Sequence, residues 1–178
     1  MWCSGYENCK KKVVKTAKRY LSNRCDVFVM YPEHSSSMSL SYEVKLLTND
    51  KTIPEGLQLF EDRLRSGELC YYVEMDGGVV AYGWRSVKPE LYFYVWEIAR
   101  NMELSTDAYI LYDFWTVSQY RNRGIYKDML RKIISDIGAD GKSIIFAETG
   151  NAASKKAIRD VGFQLCGQIS FVRKKIII

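Results

Sequence analysis

The chain has 178 residues and a net charge of +5, and 47% of its residues are hydrophobic. This composition is typical of a folded globular protein rather than of a disordered chain. Apolar runs such as Tyr109–Trp115 are shorter than the roughly 18 residues that span a bilayer, and no apolar segment beside the N-terminal lysines indicates a signal peptide. We therefore expect one cytoplasmic domain over residues 1–178, without a membrane span.

Cysteine and histidine usage argues against several kinds of site. The five cysteines form no C-x-x-C pair, and the single histidine, His34, cannot build a multi-histidine metal site. A Ser-His-Asp hydrolase would depend on that one histidine in a serine-rich loop. The basic residues cluster near the N-terminus without a known nucleic-acid motif. We expect neither a bound metal nor a nucleic-acid partner.

Periodicity and turn residues predict the elements of the first half of the chain. Apolar residues at helical spacing, with lysines and arginines on the other faces, predict a basic amphipathic helix at Glu7–Ser22. An aromatic and β-branched segment at Leu91–Ile98 has boundaries that the pattern leaves open. Between them, the predicted elements are a strand at Asp26–Tyr31, a short strand at Glu43–Leu47, a helix from Pro54 to Leu64, and a hairpin of Leu69–Met75 and Val79–Val87.

The second half alternates strands and helices. A strand at Tyr109–Val117 is followed by Gly124 and a helical pattern over Ile125–Ile137. The remaining predicted elements are a strand at Ser143–Glu148, a helix at Asn151–Val161 that ends at Gly162, and two final strands at Phe163–Cys166 and Ile169–Ile176. The predicted fold class is therefore α+β, with antiparallel hairpins leading into a β-α-β-α-β end.

The turn before the second of these helices has features of an anion site. Gly124 directly before a helix lets several backbone N–H groups turn toward one anion, and the helix dipole reinforces them. Arg121 and Arg123 add positive charge that suits a pyrophosphate. An ordinary strand-to-helix turn on a basic surface would carry the same residues. Neither a Walker-type phosphate loop nor a G-x-G-x-x-G fingerprint is present, which argues against kinases and dehydrogenases.

Two motifs resemble those of the GNAT acyltransferase superfamily. Arg121–Tyr126 resembles its signature (Q/R)-x-x-G-x-(G/A), with Tyr126 in place of the small last residue. A second stretch resembles the family's helix that begins at an asparagine, has Ala or Ser three residues later and ends at Gly-Phe, through Asn151, Ser154, Ala157 and Gly162-Phe163. The resemblance covers about residues 54–175.

For the fold, the resemblance implies a mixed, mostly antiparallel central sheet with helices on both faces. The sheet would be splayed between Tyr109–Val117 and Ser143–Glu148, so that the pantetheine arm of coenzyme A can lie in the gap. Residues 109–163 would form the acetyl-CoA-binding core. Residues 1–50 would be an N-terminal elaboration that holds the basic helix and the first strands.

The resemblance also implies which residues hold acetyl-CoA, the expected cosubstrate. Main-chain groups of Trp115, Thr116 and Val117 would bind the pantetheine arm. The pyrophosphate would meet the turn formed by Arg121, Asn122, Arg123, Gly124, Ile125 and Tyr126. On the other side of the arm would lie the Asn151 side chain, which is equally a predicted helix N-cap, with Lys155 or Lys156 near the adenosine phosphates.

Acetyl transfer from a thioester to an amine needs a base, oxyanion stabilisation and protonation of the departing thiolate. Asp113 and Glu148 are the candidate bases, with Asp113 preferred; an ion pair with one of the 26 Lys and Arg residues is the alternative for Asp113. Many relatives protonate the thiolate with a tyrosine seven residues after the motif asparagine. Ile158 stands there. Ser154, Tyr126 or solvent would have to replace it.

We expect an N-acetyltransferase that acts by direct transfer to a primary amine of a small molecule. The tripeptide Gly124-Ile125-Tyr126 resembles enzymes that acetylate amino sugars. The alternatives are a protein or peptide N-acetyltransferase and a non-catalytic acyl-CoA-binding module. The aromatic residues between Tyr71 and Trp96 either stack on a substrate ring or pack as ordinary strand residues. The resemblance also allows a homodimer.

Overall fold

The computed structural model describes residues 24–31, 39–86, 108–138 and 141–170. The predicted helix at Glu7–Ser22 and the segment Leu91–Ile98 lie outside these residues. The strands are β1 (Arg24–Met30), β2 (Lys45–Leu47), β3 (Leu69–Met75), β4 (Gly78–Ser86), β5 (Tyr109–Thr116), β6 (Ser143–Glu148) and β7 (Gln164–Ser170). The helices are α1 (Glu61–Arg65), α2 (Ile125–Ile137) and α3 (Ala152–Asp160), with short 3-10 turns at Gln58–Phe60 and Ser118–Tyr120.

The seven described strands form one sheet in the order β2-β3-β4-β5-β6-β1-β7. Every neighbouring pair is antiparallel except β5 and β6, which run parallel. The predicted hairpin is β3 and β4, joined by a turn in which Asp76 and Gly77 have positive φ angles of 53° and 79°. The mixed, mostly antiparallel sheet is confirmed.

Helices cover both faces of this sheet, as predicted. Because side chains alternate along a strand, Tyr71 of β3 packs on one face while Cys70 packs on the other. The α2–α3 face has a core that includes Phe28, Leu111, Met129, Ile133 and Ile158. The α1 face has a core that includes Leu47, Leu57, Leu64, Trp84 and Tyr112.

The sheet splits between β5 and β6. The two strands pair at three positions, from Tyr109 opposite Ser143 to Leu111 opposite Ile145, and part beyond them. At this point β5 carries a bulge, because Asp113 and Phe114 together face the single residue Gly83 of β4. A bulge bends its strand and increases its twist, so the far half of β5 is turned away from β6. The predicted splayed sheet is therefore confirmed.

Two residues make the bulge sterically feasible. Asp113 has a φ of 51°, a left-handed conformation that aspartate tolerates better than most residues. A Cβ atom on Gly83 would lie 2.2 Å from the Phe114 ring, so only glycine lets that ring pack against β4. The bulge therefore depends on a glycine in one strand and an aspartate in the other.

Helix α2 carries the amphipathic pattern predicted for it. Met129, Leu130 and Ile133 are fully buried against the sheet. Asp128 is also buried, and its carboxylate accepts hydrogen bonds from the backbone N–H groups of Ser41 at 2.7 Å and Tyr42 at 3.1 Å. These two hydrogen bonds hold the start of α2 against the loop before β2. No helix in the described ranges is both long and apolar enough to cross a bilayer.

The break predicted between the two final strands is wrong, whereas residues 171–176 of the second one lie outside the described residues. Residues 164–170 form the single strand β7, which pairs with β1 on both sides of Gly167. Its register shifts between Leu165 opposite Phe28 and Gly167 opposite Val27, so Cys166 is an extra residue in the ladder. Gly167 follows this bulge, which interrupts the side-chain alternation without ending the strand.

The helix predicted from Pro54 to Leu64 is shorter than expected. Helical structure begins at Gln58 with a 3-10 turn, and the α-helical part covers Glu61–Arg65. Gly56 has a φ of 91°, which a right-handed helix cannot accommodate. Pro54 instead starts a turn, whose backbone bond joins Leu57 N–H to the Pro54 carbonyl.

Candidate functional site

A cleft of about 850 Å³ lies between the outer half of β5 and the N-terminal turns of α2 and α3. Its wall on β5 is formed by Phe114, Trp115 and Thr116. The rest of its lining comes from Tyr120, Arg121, Asn122, Arg123, Gly124, Ile125, Tyr126, Lys127, Asn151, Ala153, Ser154, Lys156, Ala157 and Asp160. Two helix N-termini therefore face one space, and each brings the positive end of a helix dipole.

The turn from β5 into α2 has the geometry of an anion site. Asn122 and Gly124 both have positive φ angles, 60° and 88°, and Gly124 is the N-cap of the helix. The N–H groups of the first helical turn, from Ile125 to Lys127, have no intrahelical acceptor. Asn122 and Gly124, separated by one residue, are both in the left-handed region. Together with this backbone, the free N–H groups form a concave array that suits a phosphate. No atom lies within 4 Å of a Cβ built on Gly124, so its conformation, not space, requires glycine.

Arginine side chains reinforce this turn. The guanidinium of Arg123 lies 5.2 Å from the centroid of the Tyr120 ring, a cation–π distance. The Tyr120 hydroxyl donates to the carboxylate of Asp76, and this bond raises the pKa of the tyrosine. Arg121 donates from Nε to the Thr116 carbonyl at 3.0 Å. The β3–β4 turn is thus tied through Tyr120 to the turn between β5 and α2.

Two lysines that line the cleft, Lys127 on α2 and Lys156 on α3, share one carboxylate. Lys156 donates to Oδ2 of Asp160 at 2.7 Å, and the Lys127 ammonium lies 3.7 Å from the same oxygen. The bond from Lys156 is the main reason that the pKa of Asp160 is lowered. Arg121, Arg123 and these two lysines make four basic side chains around the cleft, and Asp160 is the acidic one.

Asn151 occupies the start of α3 as a helix N-cap, one of the two roles expected for it. Its Oδ1 accepts a hydrogen bond from the Ser154 N–H at 3.0 Å. The cap satisfies one of the free N–H groups of the helix and leaves the amide NH₂ of Asn151 available to a ligand in the cleft.

Tyr126 and Ser154 form a hydroxyl pair in the cleft. Oγ of Ser154 donates to the Tyr126 hydroxyl at 3.3 Å, and the Tyr126 ring meets Phe114 edge-on with centroids 5.1 Å apart. The pKa of Tyr126 is raised to about 12. Burial causes this rise, and the hydrogen bond from Ser154 opposes it. The phenol is therefore protonated at neutral pH. Ile158, where many relatives carry a tyrosine, is fully buried in the core.

Lys155, expected near the cofactor, does not line the cleft. Its Nζ lies 2.8 Å from Oδ2 of Asp26 and donates at 2.6 Å to the Thr149 carbonyl. Asp26 is 6% exposed and also accepts from Gln168 at 2.9 Å. The hydrogen bond from Lys155 is the largest cause of the lowered pKa of Asp26. Cofactor binding by Lys155 remains a prediction, whereas Lys156, its neighbour, does line the cleft.

The other expected site residues outside the cleft lining are Asp113, Glu148 and Val117. Asp113 points to the α1 face, where its Oδ2 lies 2.6 Å from Nη1 of Arg63. Glu148 is exposed, and its carbonyl accepts from the Asn151 N–H. The N–H of Val117 donates to the Val80 carbonyl at 2.9 Å. The structure brings the remaining predicted residues together in one cleft.

Sequence reasoning did not single out several residues that the structure places at the site. Tyr120 and Phe114 line the cleft, yet their positions in an apolar strand and turn look like ordinary packing. Asp160 also lines the cleft, yet its position four residues after Lys156 predicts a helical ion pair rather than a cleft residue. Asp26 had one available signal, a carboxylate between apolar residues in a strand.

The family model described as "Acetyltransferase (GNAT) family" matches residues 32–163. The chain belongs to the GNAT acetyltransferase family. The match contains the strand, turn and helices that form the cleft. No curated protein sequence matches the chain.

Solved GNAT structures share this fold. An acetyltransferase from Colwellia psychrerythraea is 16% identical with a TM-score of 0.56, over 87% of this chain and 58% of that one. The aminoglycoside acetyltransferase AAC(6')-Iy, in complex with a coenzyme A bisubstrate analogue, is 14% identical with a TM-score of 0.54, over 76% and 99%. AAC(6')-IG from Acinetobacter haemolyticus is 16% identical with a TM-score of 0.51, over 76% and 99%. The chain thus spans less than two thirds of the Colwellia protein but nearly all of the two aminoglycoside enzymes.

Proposed function

We propose that the protein transfers the acetyl group of acetyl-coenzyme A to a primary amine of a small molecule, with an amino sugar as the candidate acceptor. The observation that carries this proposal is the cleft, in which two helix N-termini and four basic side chains converge beside a split sheet. Family membership supports acyl transfer. AAC(6')-Iy, which was solved with a coenzyme A bisubstrate analogue, supports the choice of donor and of acceptor class.

The cleft fits the charged half of coenzyme A. The pyrophosphate would accept from the N–H groups between Asn122 and Tyr126, with Arg121 and Arg123 neutralising its charge. A further phosphate would suit Lys127 and Lys156, which now share Asp160. Both lysines lie on the cleft rather than in the core, so a phosphate can compete for them.

The split sheet fits the pantetheine half. Past Leu111, the edge of β5 that faces β6 has no strand partner among the described residues. An edge with unpaired N–H and C=O groups can pair with the amides of an extended ligand. Main-chain groups of Trp115 and Thr116, both on the cleft, would make these bonds. Asn151 would contact the arm from α3.

Bound acetyl-CoA supplies a thioester whose carbonyl carbon is open to attack. The neutral amine forms the new C–N bond, the C–S bond breaks with its electron pair on sulfur, and the amine loses one proton while the sulfur gains one. We assign the acid to the protonated phenol of Tyr126 or to its partner Ser154, since Ile158 has no proton to give. Asp113 and Glu148 remain the proposed bases.

A thermal-shift measurement tests the donor site. Because a ligand that binds only the folded state stabilises it, coenzyme A and acetyl-CoA should both raise the melting temperature, and an adenine dinucleotide should do so less. Gly124→Ala forces a side chain into a left-handed conformation at the turn and should reduce the shift. Gly56→Ala is the matched control, since Gly56 has a φ of 91°, has the same open surroundings and lies outside the cleft.

The outcomes separate the alternatives. A shift that survives in Gly56→Ala and falls in Gly124→Ala supports the cleft as the coenzyme A site. No shift with saturating coenzyme A would remove the basis for the acetyltransferase. A shift without acetyl transfer to any amine in a panel of amino sugars, polyamines and peptides would indicate a non-catalytic binding module instead.

A further inference from the structure

A strip of three aromatic rings lies on the α1 face of the sheet and reaches the cleft at Trp115. Phe60 packs against Tyr82 with ring centroids 5.2 Å apart, and Tyr82 stacks on Trp115 at 5.4 Å with an interplanar angle of 24°. Tyr82 and Trp115 are direct cross-strand partners in β4 and β5. We call these three residues the aromatic strip.

The strip is open to solvent, unlike the aromatic core beside it. Trp115 is 42% exposed, and Phe60 and Tyr82 are half-buried. Trp84, two residues further along β4, is fully buried. Burial of an aromatic ring is strongly favourable, so stacked rings left accessible in this way are typical of a binding surface.

The same face already holds a cation between rings and a carboxylate. The guanidinium of Arg63 lies 4.9 Å from the Phe60 ring centroid and 5.1 Å from that of Trp84. It is paired with Oδ2 of Asp113, whose side chain is 38% exposed. Within the described residues, Oδ1 of Asp113 has no hydrogen-bond donor. An aromatic surface bounded by a carboxylate is complementary to an ammonium group carried on an apolar body.

The strip and the cleft meet at the bulge of β5. Asp113 lies on the α1 face, whereas Phe114, the next residue, lines the cleft on the other face. Trp115 belongs to both, since it lines the cleft and its ring stacks on Tyr82. Adjacent residues of β5 therefore face a group bound on the strip and a group bound in the cleft. These residues lie where the sheet splits.

We propose that the acceptor is an amine carried on a ring with an apolar face, such as an aminopyranose, and that it binds on the aromatic strip with its amino group beside Asp113. This inference rests on the proposed acetyl transfer and adds which surface selects the acceptor. The rings pack against the C–H face of the sugar, and the carboxylate of Asp113 selects the amine. A flexible aliphatic amine gains only the second contact, and a sugar without an amine gains only the first.

The experiment titrates three probes into protein saturated with free coenzyme A and follows binding by ligand-observed NMR. The probes are glucosamine, glucose and ethanolamine, which present the ring with the amine, the ring alone and the amine alone. The variants are Phe60→Leu, which removes a ring but keeps an apolar side chain, and Asp113→Asn, which keeps a residue that tolerates positive φ. Leu59→Ala is the control, because Leu59 is 79% exposed beside Phe60 and outside the strip.

We expect glucosamine to bind the wild type at least about tenfold more tightly than either other probe, because it makes both contacts. Phe60→Leu should weaken glucosamine about fivefold and leave ethanolamine unchanged. Asp113→Asn should remove the preference for glucosamine over glucose, and Leu59→Ala should change nothing. Tyr82→Leu provides a second test of the strip if Phe60→Leu does not fold.

Equal binding of the three probes, or a preference that survives in both ring variants, overturns the inference. That result leaves the proposed acetyl transfer standing if coenzyme A still raises the melting temperature and some other amine is acetylated. Failure of coenzyme A to bind removes the proposed function instead. The two failures are therefore distinguished by the coenzyme A titration on the same protein samples.

Discussion

The ammonium group of Lys155 lies 2.8 Å from the carboxylate of Asp26, in a buried network that joins β1 to α3. Lys155 also donates to the carbonyl of Thr149, two residues before Asn151. The side chain therefore holds both the first turns of α3 and the loop that enters it. Asn151 is the N-cap of α3, so its position depends on the carboxylate of Asp26 in β1.

Asp26→Asn should destabilise the protein by about 3 kcal/mol, because it leaves the mostly buried Lys155 without its counter-charge. Urea unfolding of the two proteins measures the difference. The double variant Asp26→Leu with Lys155→Met should lose much less, since no charge stays buried. If the double variant is as unstable as the sum of its two single variants, the pair is not energetically coupled.

The same carboxylate should make stability depend on pH in the acid range. Because Lys155, Gln168 and Thr149 hydrogen-bond the carboxylate, the pKa of Asp26 in the folded protein is below its ordinary value of 3.8. Its stabilising contribution is therefore fully present above pH 3.8 and is lost as the pH falls through the lower folded pKa. The difference in unfolding free energy between the wild type and Asp26→Asn should be constant near neutral pH and should shrink below about pH 4. A difference that stays constant down to pH 2 would contradict this assignment.

The sequence was sufficient to predict most of the sheet and the glycine turn between β5 and α2. Strand alternation and the paired glycines at the β3–β4 turn are local signals, so both strands were predicted within about a residue. Gly124 was informative for a similar reason, since a positive φ before a helix is a backbone requirement. Turns and strands of this kind can be predicted because they depend on residues that are close together in the sequence.

Contacts between distant residues could not be predicted. Lys155 and Lys156 are adjacent and chemically identical, and only the fold decides that the first meets Asp26 while the second lines the cleft. Asp113 shows the same limit, because the bulge that directs it to Arg63 depends on Gly83 in another strand. The bulge in β7 shows this too, since its register depends on the pairing with β1.

Tyr120→Phe should weaken coenzyme A binding about fivefold and should also lower the free energy of unfolding. The variant removes the hydroxyl that donates to Asp76 but keeps the ring beneath Arg123, so the turn loses its tie to the β3–β4 turn. Calorimetric titration with coenzyme A checks the affinity. Tyr72→Phe, a half-buried tyrosine of β3 outside the cleft, is the control. An unchanged affinity together with reduced stability would make the Asp76 bond purely structural.

Tyr126→Phe should identify a phenol that stays protonated in strongly alkaline solution. Because burial raises the pKa of Tyr126 to about 12, the ultraviolet difference between wild type and variant should show little phenolate at pH 11, where an ordinary tyrosine is mostly ionised. Ser154→Ala should raise that pKa further, since the bond from Ser154 lowers it. By linkage, the stability that this group contributes is complete below pH 10 and is lost as the pH rises toward 12. A phenolate signal of full size at pH 11 would mean that Tyr126 is open to water, and an acid role in the cleft would then have to pass to Ser154 or to solvent.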